Sequence, residues 1–274
     1  MIAMSLFSNM MGFGRPGPGV RPDEPRKKGM LRLLEILSRD MWSFFRAGFL
    51  ALVSFIPFMV LVMLAIDTRA LIFVLAAGLI GGPLAMPQIV GLADTVLRSL
   101  RDEPGYWWVT YRRAWRRNLK ACLVPGILCG LLLAMQVFLF FILLETGTSS
   151  PSWVATIVGF FITLGLTFYI VPQLALVDLP LLGILKNSLL LFIAYFPRTL
   201  GSMLVMGGYW ALYLLFYPLS PLVLVVTNFW LPVSITLLIL YIPLDKSFHI
   251  EENIKKIREE QMRGGDAAQE DAAE

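Results

Sequence analysis

An all-α, polytopic membrane fold is predicted by three observations. The chain is 57% hydrophobic. Only 15% of its 274 residues are charged. Its apolar residues gather into runs long enough to cross a bilayer. A soluble domain carries about 25% charged residues. The share found here cannot furnish a water-facing surface for the whole chain but suits a lipid-facing one, as does the mean hydropathy of +0.73.

About 20 mostly apolar helical residues span the hydrocarbon layer. Six stretches qualify: Phe44 to Ile66, Leu71 to Leu97, Leu119 to Leu144, Trp153 to Val177, Leu200 to Tyr217 and Leu222 to Leu244. Only Pro218, Leu219, Ser220 and Pro221 separate the last two. Five spans plus a re-entrant or kinked segment would use the same residues.

Three regions follow. Residues 1–40 form a cytoplasmic segment with a Gly/Pro linker, Arg15-Pro16-Gly17-Pro18-Gly19, and a basic helix. Residues 41–245 form the transmembrane domain. Residues 246–274 form a helix extension, with Ile250, Ile254 and Ile257 at helical spacing, ending near Gly264-Gly265 and followed by an acidic, disordered tail. The apolar patch Met1 to Phe13 is interrupted by Ser5, Ser8 and Asn9 and lacks a charged leader, so no cleavable signal peptide is expected.

Lys and Arg set the orientation. All of them except Arg69 fall before the first span or at its mouth (Arg46), between the second and third or at the start of the third (Lys120), between the fourth and fifth, or after the last. Cytoplasmic loops collect these residues, which places both termini in the cytoplasm and the protein in a plasma membrane. The net charge of +4 therefore reports topology. Cys122 and Cys129 lie in one apolar stretch and read as small buried thiols, neither a disulfide framework nor a zinc pattern.

The connection between the second and third spans is the most distinctive segment. Trp107, Tyr111 and Trp115 recur every fourth residue, with Trp108 beside them, and Arg112, Arg113, Arg116 and Arg117 fill other positions. A short interfacial helix would carry aromatics on one face and guanidinium groups on another, with Trp anchoring and Arg meeting anionic lipid headgroups. Each such Arg contributes about 1 kcal/mol of attraction. Anchoring is the simpler role, and a docking face for a membrane partner the sharper one. Nucleic acid is not an expected partner, because no recognition motif accompanies the basic residues.

Five polar residues are candidates to line a cavity: Gln88, Asp94, Gln173, Asp178 and Asn228. Gln88 and Gln173 each follow a proline, in Met86-Pro87-Gln88 and Val171-Pro172-Gln173. With Asp94 and Asp178 they suggest a weak parallel repeat of the kind found in transporters. A carboxylate at the bilayer centre costs about 2.5–3.5 kcal/mol. Asp94, one turn from Arg98, and Asp178, ahead of Leu179-Pro180, read more simply as an interfacial pair and a helix cap. Gly81-Gly82-Pro83 and Pro87 mark the second span as the one to break or bend.

No enzyme signature is present. The single histidine, His249, reads as a solvated residue. There is no His/Glu metal spacing, no phosphate loop and no nucleophile–base pairing, so no catalytic residue, metal or cofactor is expected.

Arg15-Pro-Gly-Pro-Gly-Val20, Asp23-Glu-Pro-Arg-Lys-Lys28 and Phe44-Phe-Arg46 resemble the N-terminal pattern of the YesL-like family, bacterial integral membrane proteins with a domain of unknown function. Gly82-Pro83, Arg116-Arg117-Asn118-Leu119-Lys120, Lys186-Asn187-Ser188 and Pro197-Arg198-Thr199 extend the resemblance over most of residues 13–250. It implies a helical inner-membrane protein, often encoded near carbohydrate uptake or degradation systems, with no established activity or site residues. The Trp/Arg-rich loop departs from the family's acidic or polar ones. The expected function is therefore a non-catalytic accessory of a carbohydrate uptake system, with a transporter complex as partner. The alternative is a small-solute transporter or channel.

Overall fold

A computed structural model describes residues 27, 29–103, 105–147, 150–216 and 218–256. The expectations for the Gly/Pro linker, Met1 to Phe13, Ile257, the stop near Gly264-Gly265 and the acidic tail lie outside these residues. Every regular element among them is helical: α1 (Gly29–Thr68), α2 (Leu71–Ala76), a π-helical turn (Ala77–Gly81), α3 (Gly82–Leu100), α4 (Trp107–Thr146), α5 (Ser150–Leu176), α6 (Leu181–Ala194), α7 (Phe196–Leu215), α8 (Ser220–Thr227) and α9 (Trp230–Phe248).

Five of these units are long and apolar enough to cross a membrane. They are Gly29–Thr68, Leu71–Leu100, Trp107–Thr146, Pro151–Leu176 and Trp230–Phe248. A sixth arises if α6 and α7, bent by 95° at their junction, form one broken span. The expected count of six, or five with a kinked segment, thus describes this chain. The kink lies at Tyr195, however, and not at the Pro218–Pro221 turn. Pro197 enters the first turn of α7. It has no amide hydrogen to continue the ladder of α6 and its ring crowds the preceding turn, so a proline here ends one helix and starts the next.

The predicted last span is also divided. Asn228 takes φ 28° and ψ −137°, a conformation that ends α8, and α9 begins two residues later. The second span, expected to break or bend, is not broken. Gly81-Gly82-Pro83 sit at the end of a single π-helical turn within an unbroken run from Leu71 to Leu100.

α3 is the central helix, packed on α1, α4, α5 and α9. Every residue from Val90 to Leu97 is buried, the pattern of a helix enclosed on all sides. Its approach to α4 is at backbone level. A Cβ on Gly82 would stand 2.1 Å from the Gly126 carbonyl oxygen, and one on Gly130 would stand 2.9 Å from the Gly82 Cα. Gly-x-x-x-Gly spacing, at Gly78/Gly82 and at Gly126/Gly130, permits this contact between membrane helices.

α4 ends where Gly147 adopts a left-handed conformation at φ 60°, a common helix stop. Beyond α9, the expected continuous extension is interrupted. His249, exposed, takes φ 50°, and a second helical turn over residues 250–256 starts with the Glu251 amide donating to Asp245 Oδ1 at 2.9 Å. Ile250 folds inward against Met203, Leu240 and Leu244.

Candidate functional site

The helix periodicity that places the Trp/Arg segment also places its partners. Trp107 to Lys120 is not a separate short helix but the first turns of α4, continuous with the third span. Tyr111, Ala114 and Asn118 are buried against the bundle, whereas Arg112, Arg113, Arg116 and Arg117 are exposed. Arg117 also donates to the Ala175 carbonyl at 2.9 Å, at the end of α5. The aromatic face is largely turned inward: Tyr111 packs on α3 and donates to Gln88 Oε1, and Trp107 and Trp115 are half-buried. Trp108 alone of the four stays exposed.

A surface cluster joins α4 to α1. The Arg46 guanidinium lies 5.1 Å from the Trp42 ring centre and 5.5 Å from that of Trp107. Trp42 stacks on Phe45 at 5.3 Å. Trp107 meets Trp108 at 5.6 Å and Tyr111 at 5.3 Å. A cation between two indoles beside an apolar span is the chemistry of a membrane–water boundary.

The same end of the bundle holds a buried ion-pair network. Arg32, 4% exposed, donates to Glu35 at 3.0 Å, to the Leu100 carbonyl at 2.9 Å and to Asp102 at 2.8 Å. Arg39 reaches Asp40 at 2.8 Å, Asp102 at 2.7 Å and the Ser99 carbonyl at 2.8 Å. Arg98 pairs with Asp94 at 2.7 Å and Glu103 at 3.0 Å, and Arg101 with Glu103 at 3.0 Å. Asp102 bridges two arginines of α1 from a left-handed backbone at φ 57°, which Asp tolerates better than most residues. Between this network and Trp107 lies a cleft of about 60 Å³, lined in part by Asp40, Ser43, Thr95 and Glu103. Its volume suits water, at about 30 Å³ per molecule.

The five cavity candidates occupy separate environments. Gln88 serves Tyr111. Asp94, 2% exposed, is committed to Arg98. Gln173, fully buried, donates to Ser188 Oγ at 2.8 Å and to the Tyr169 carbonyl at 3.0 Å. Tyr169 and Thr199 hydroxyls meet 2.9 Å away from each other in the same α5–α6–α7 junction. Asn228, fully buried, caps the start of α9 through the Trp230 amide at 3.0 Å, and its carbonyl accepts from Tyr209 at 2.9 Å. Among the described residues, Gln88, Gln173 and Asn228 do not bond to one another.

Asp178 is exposed beyond α5 and does not cap α6, whose capping position is Pro180 with no side-chain bond. The two copies of the suggested repeat therefore diverge at this position: α3 continues past Asp94, while α5 stops before Asp178. Cys122 is buried and Cys129 half-buried, both free.

The sequence alone pairs Arg98 with Asp94 but gives Arg32, Arg39 and Arg101 no role beyond topology, and it does not single out Glu35, Asp40, Asp102 or Glu103. No local signal pairs residues 32 and 102. The cue available was that Glu35 and Asp40 stand among the arginines just ahead of the first span, and Asp102 and Glu103 beside those just after the second. Comparison with protein-family models, with curated proteins and with solved structures returned no match.

Proposed function

We propose that this chain is a non-catalytic, multi-pass protein of YesL-like type in the bacterial inner membrane, both termini cytoplasmic, that assists a membrane partner, a carbohydrate uptake system. The observation that carries the reading is the exposed row Arg112, Arg113, Arg116 and Arg117 on a helix held rigid by the burial of Tyr111, Ala114 and Asn118. A positioned row of guanidiniums engages carboxylates or phosphates in a defined register, so it serves a docking partner or anionic lipid headgroups.

The test is affinity purification from native membranes in gentle detergent, with mass spectrometry of proteins and small molecules. The expected result is stoichiometric recovery of transporter subunits, lost when Arg112, Arg113, Arg116 and Arg117 are all changed to Glu. Recovery of lipid alone overturns the partner.

A second reading, a small-solute transporter or channel, is favoured by one feature: two helix breaks, at Tyr195 and Asn228, within otherwise apolar segments. Interrupted helices expose backbone to solutes in many transporters. Flux of a sugar or ion into liposomes above that of empty vesicles would support it. The separate commitments of Gln88, Gln173 and Asn228 count against a shared pathway.

A further inference from the structure

The amino-terminal half of α1 is inside out for a helix in water. Its charged residues Arg32, Arg39 and Asp40 face the bundle and are consumed by the ion-pair network. Its outward face is apolar: Met30 is 69% exposed, Leu31 64%, Leu34 59% and Met41 54%. In water the free energy of apolar burial drives the opposite arrangement.

This outward face continues, without changing side, into the one that the spanning half presents to lipid. Exposed apolar residues recur at helical spacing from Met30 and Leu34 through Met41 and Trp42 to Phe49, Val53, Ile56, Val60 and Leu64. Ser38 interrupts it in the first turns, and Glu35, paired with Arg32, lies at its edge. Arg46, between Trp42 and Trp107, lies partway along it, as an interfacial cation does.

We infer that the bilayer covers this face as far as Met30, so that the first turns of α1 lie in the boundary between headgroups and acyl chains and do not project into water. The dimensions allow it. Met30 to Leu64 spans about 51 Å of helix at about 1.5 Å per residue. A bilayer of about 40–45 Å including headgroups accommodates that length at a tilt of about 30°, within the usual range. An apolar exterior over an ion-paired interior is then what the surroundings favour: the guanidiniums find carboxylates inside, and the methionines and leucines find acyl chains outside. The inference is independent of any partner docked on α4 and goes beyond it, because it assigns lipid contact to a different helix.

The test uses purified full-length protein in vesicles of phosphatidylcholine and phosphatidylglycerol. Nitroxide labels are placed singly at Leu34→Cys, at Val53→Cys as the lipid reference and at Lys27→Cys as the water reference, with Cys122 and Cys129 replaced by Ala. Broadening by oxygen and by a water-soluble nickel chelate is then measured. The expected result is that nickel broadening at Leu34 falls well below that at Lys27 and oxygen broadening rises above it, toward the values at Val53. Nickel broadening at Leu34 equal to that at Lys27 overturns the inference in favour of a water-facing surface. Shielding from both reagents overturns it in favour of a second protein copy. A parallel measurement needs no substitution: vesicles doped with a phospholipid bearing a photoactivatable acyl chain are irradiated with the unmodified protein, and adducts are mapped. Adducts on residues 30–42 as well as 49–64 are expected, and their confinement to 49–64 overturns the inference.

Discussion

The side chain of Asn228 occupies the space that a β-carbon on Gly48 would need: its Oδ1 lies 1.9 Å from that position. α1 therefore touches the break between α8 and α9 at backbone level, and the absence of a side chain at residue 48 lets Asn228 turn in and cap α9.

Gly48→Ala should accordingly lower the thermal midpoint in detergent, with a cost of about 1–3 kcal/mol from overpacking. Trp230 Cβ, 2.9 Å from the same position, blocks escape on the other side. Adding Asn228→Gly should recover part of the loss, since glycine accepts the positive φ at residue 228. The two substitutions should be markedly non-additive. Additive midpoint shifts would mean that the two residues do not share this space.

Gly82→Ala carries the same reasoning to the contact between the second and third spans. Its β-carbon would meet the Gly126 carbonyl oxygen at 2.1 Å, and a carbonyl on a packed helix cannot rotate away. The helices must separate, at a cost of about 1–3 kcal/mol or more. Gly201→Ala is the control, because nothing lies within 4 Å of the added atom. It should leave the midpoint unchanged or raise it slightly, as alanine is the better helix former.

The spans were legible because lipid imposes a simple rule, long apolar helices closed by charge, and hydropathy over a window reads that rule directly. The breaks were less so. Leu222 to Leu244 reads as one apolar run, and only Asn228 interrupts it where the helix stops. The bend at Tyr195 is set by Pro197 acting on its neighbours, in a stretch whose hydropathy had assigned it to a connection. The ion-pair network was hidden for a different reason. Arg32 and Asp102 are 70 residues apart in sequence, and periodicity carries no information on pairing between elements. The Trp/Arg segment was found by its spacing, but which face turned inward depended on Gln88 and Gly91 offering room for Tyr111 on the neighbouring helix.

Asp94 and Asp178 were read as counterparts and should behave unlike one another. Asp94 is buried and bonded to Arg98 at 2.7 Å. Asp94→Asn should cost about 1–3 kcal/mol, the range for a lost charged hydrogen bond, moderated because Arg98 retains Glu103. Asp178→Asn, at an exposed position, should stay within about 0.5 kcal/mol of the parent. Thermal unfolding of the two variants in one detergent decides this, and equal destabilisation would restore the idea of a functional pair.

Asp102 offers the most local test. It accepts from both Arg32 and Arg39, and its loss leaves two guanidiniums beside each other in a largely buried site. Breaking a buried pair on one side costs about 3–5 kcal/mol, and the low end applies here because Arg32 keeps Glu35 and Arg39 keeps Asp40. That cost falls on the loop and not on the spans, which are held by their own packing. Trypsin cleavage after Arg101, now 8% exposed, should therefore accelerate in Asp102→Ala. The increase should be on the order of a hundredfold if cleavage follows local opening, at roughly 1.4 kcal/mol per tenfold. Asp102→Asn, which keeps an acceptor and tolerates the left-handed backbone, should fall between parent and alanine. Asp102→Gly relieves the backbone but restores no acceptor, so it should cleave as fast as alanine. Protection by glycine equal to the parent's would show that backbone conformation, and not the two arginines, holds this loop.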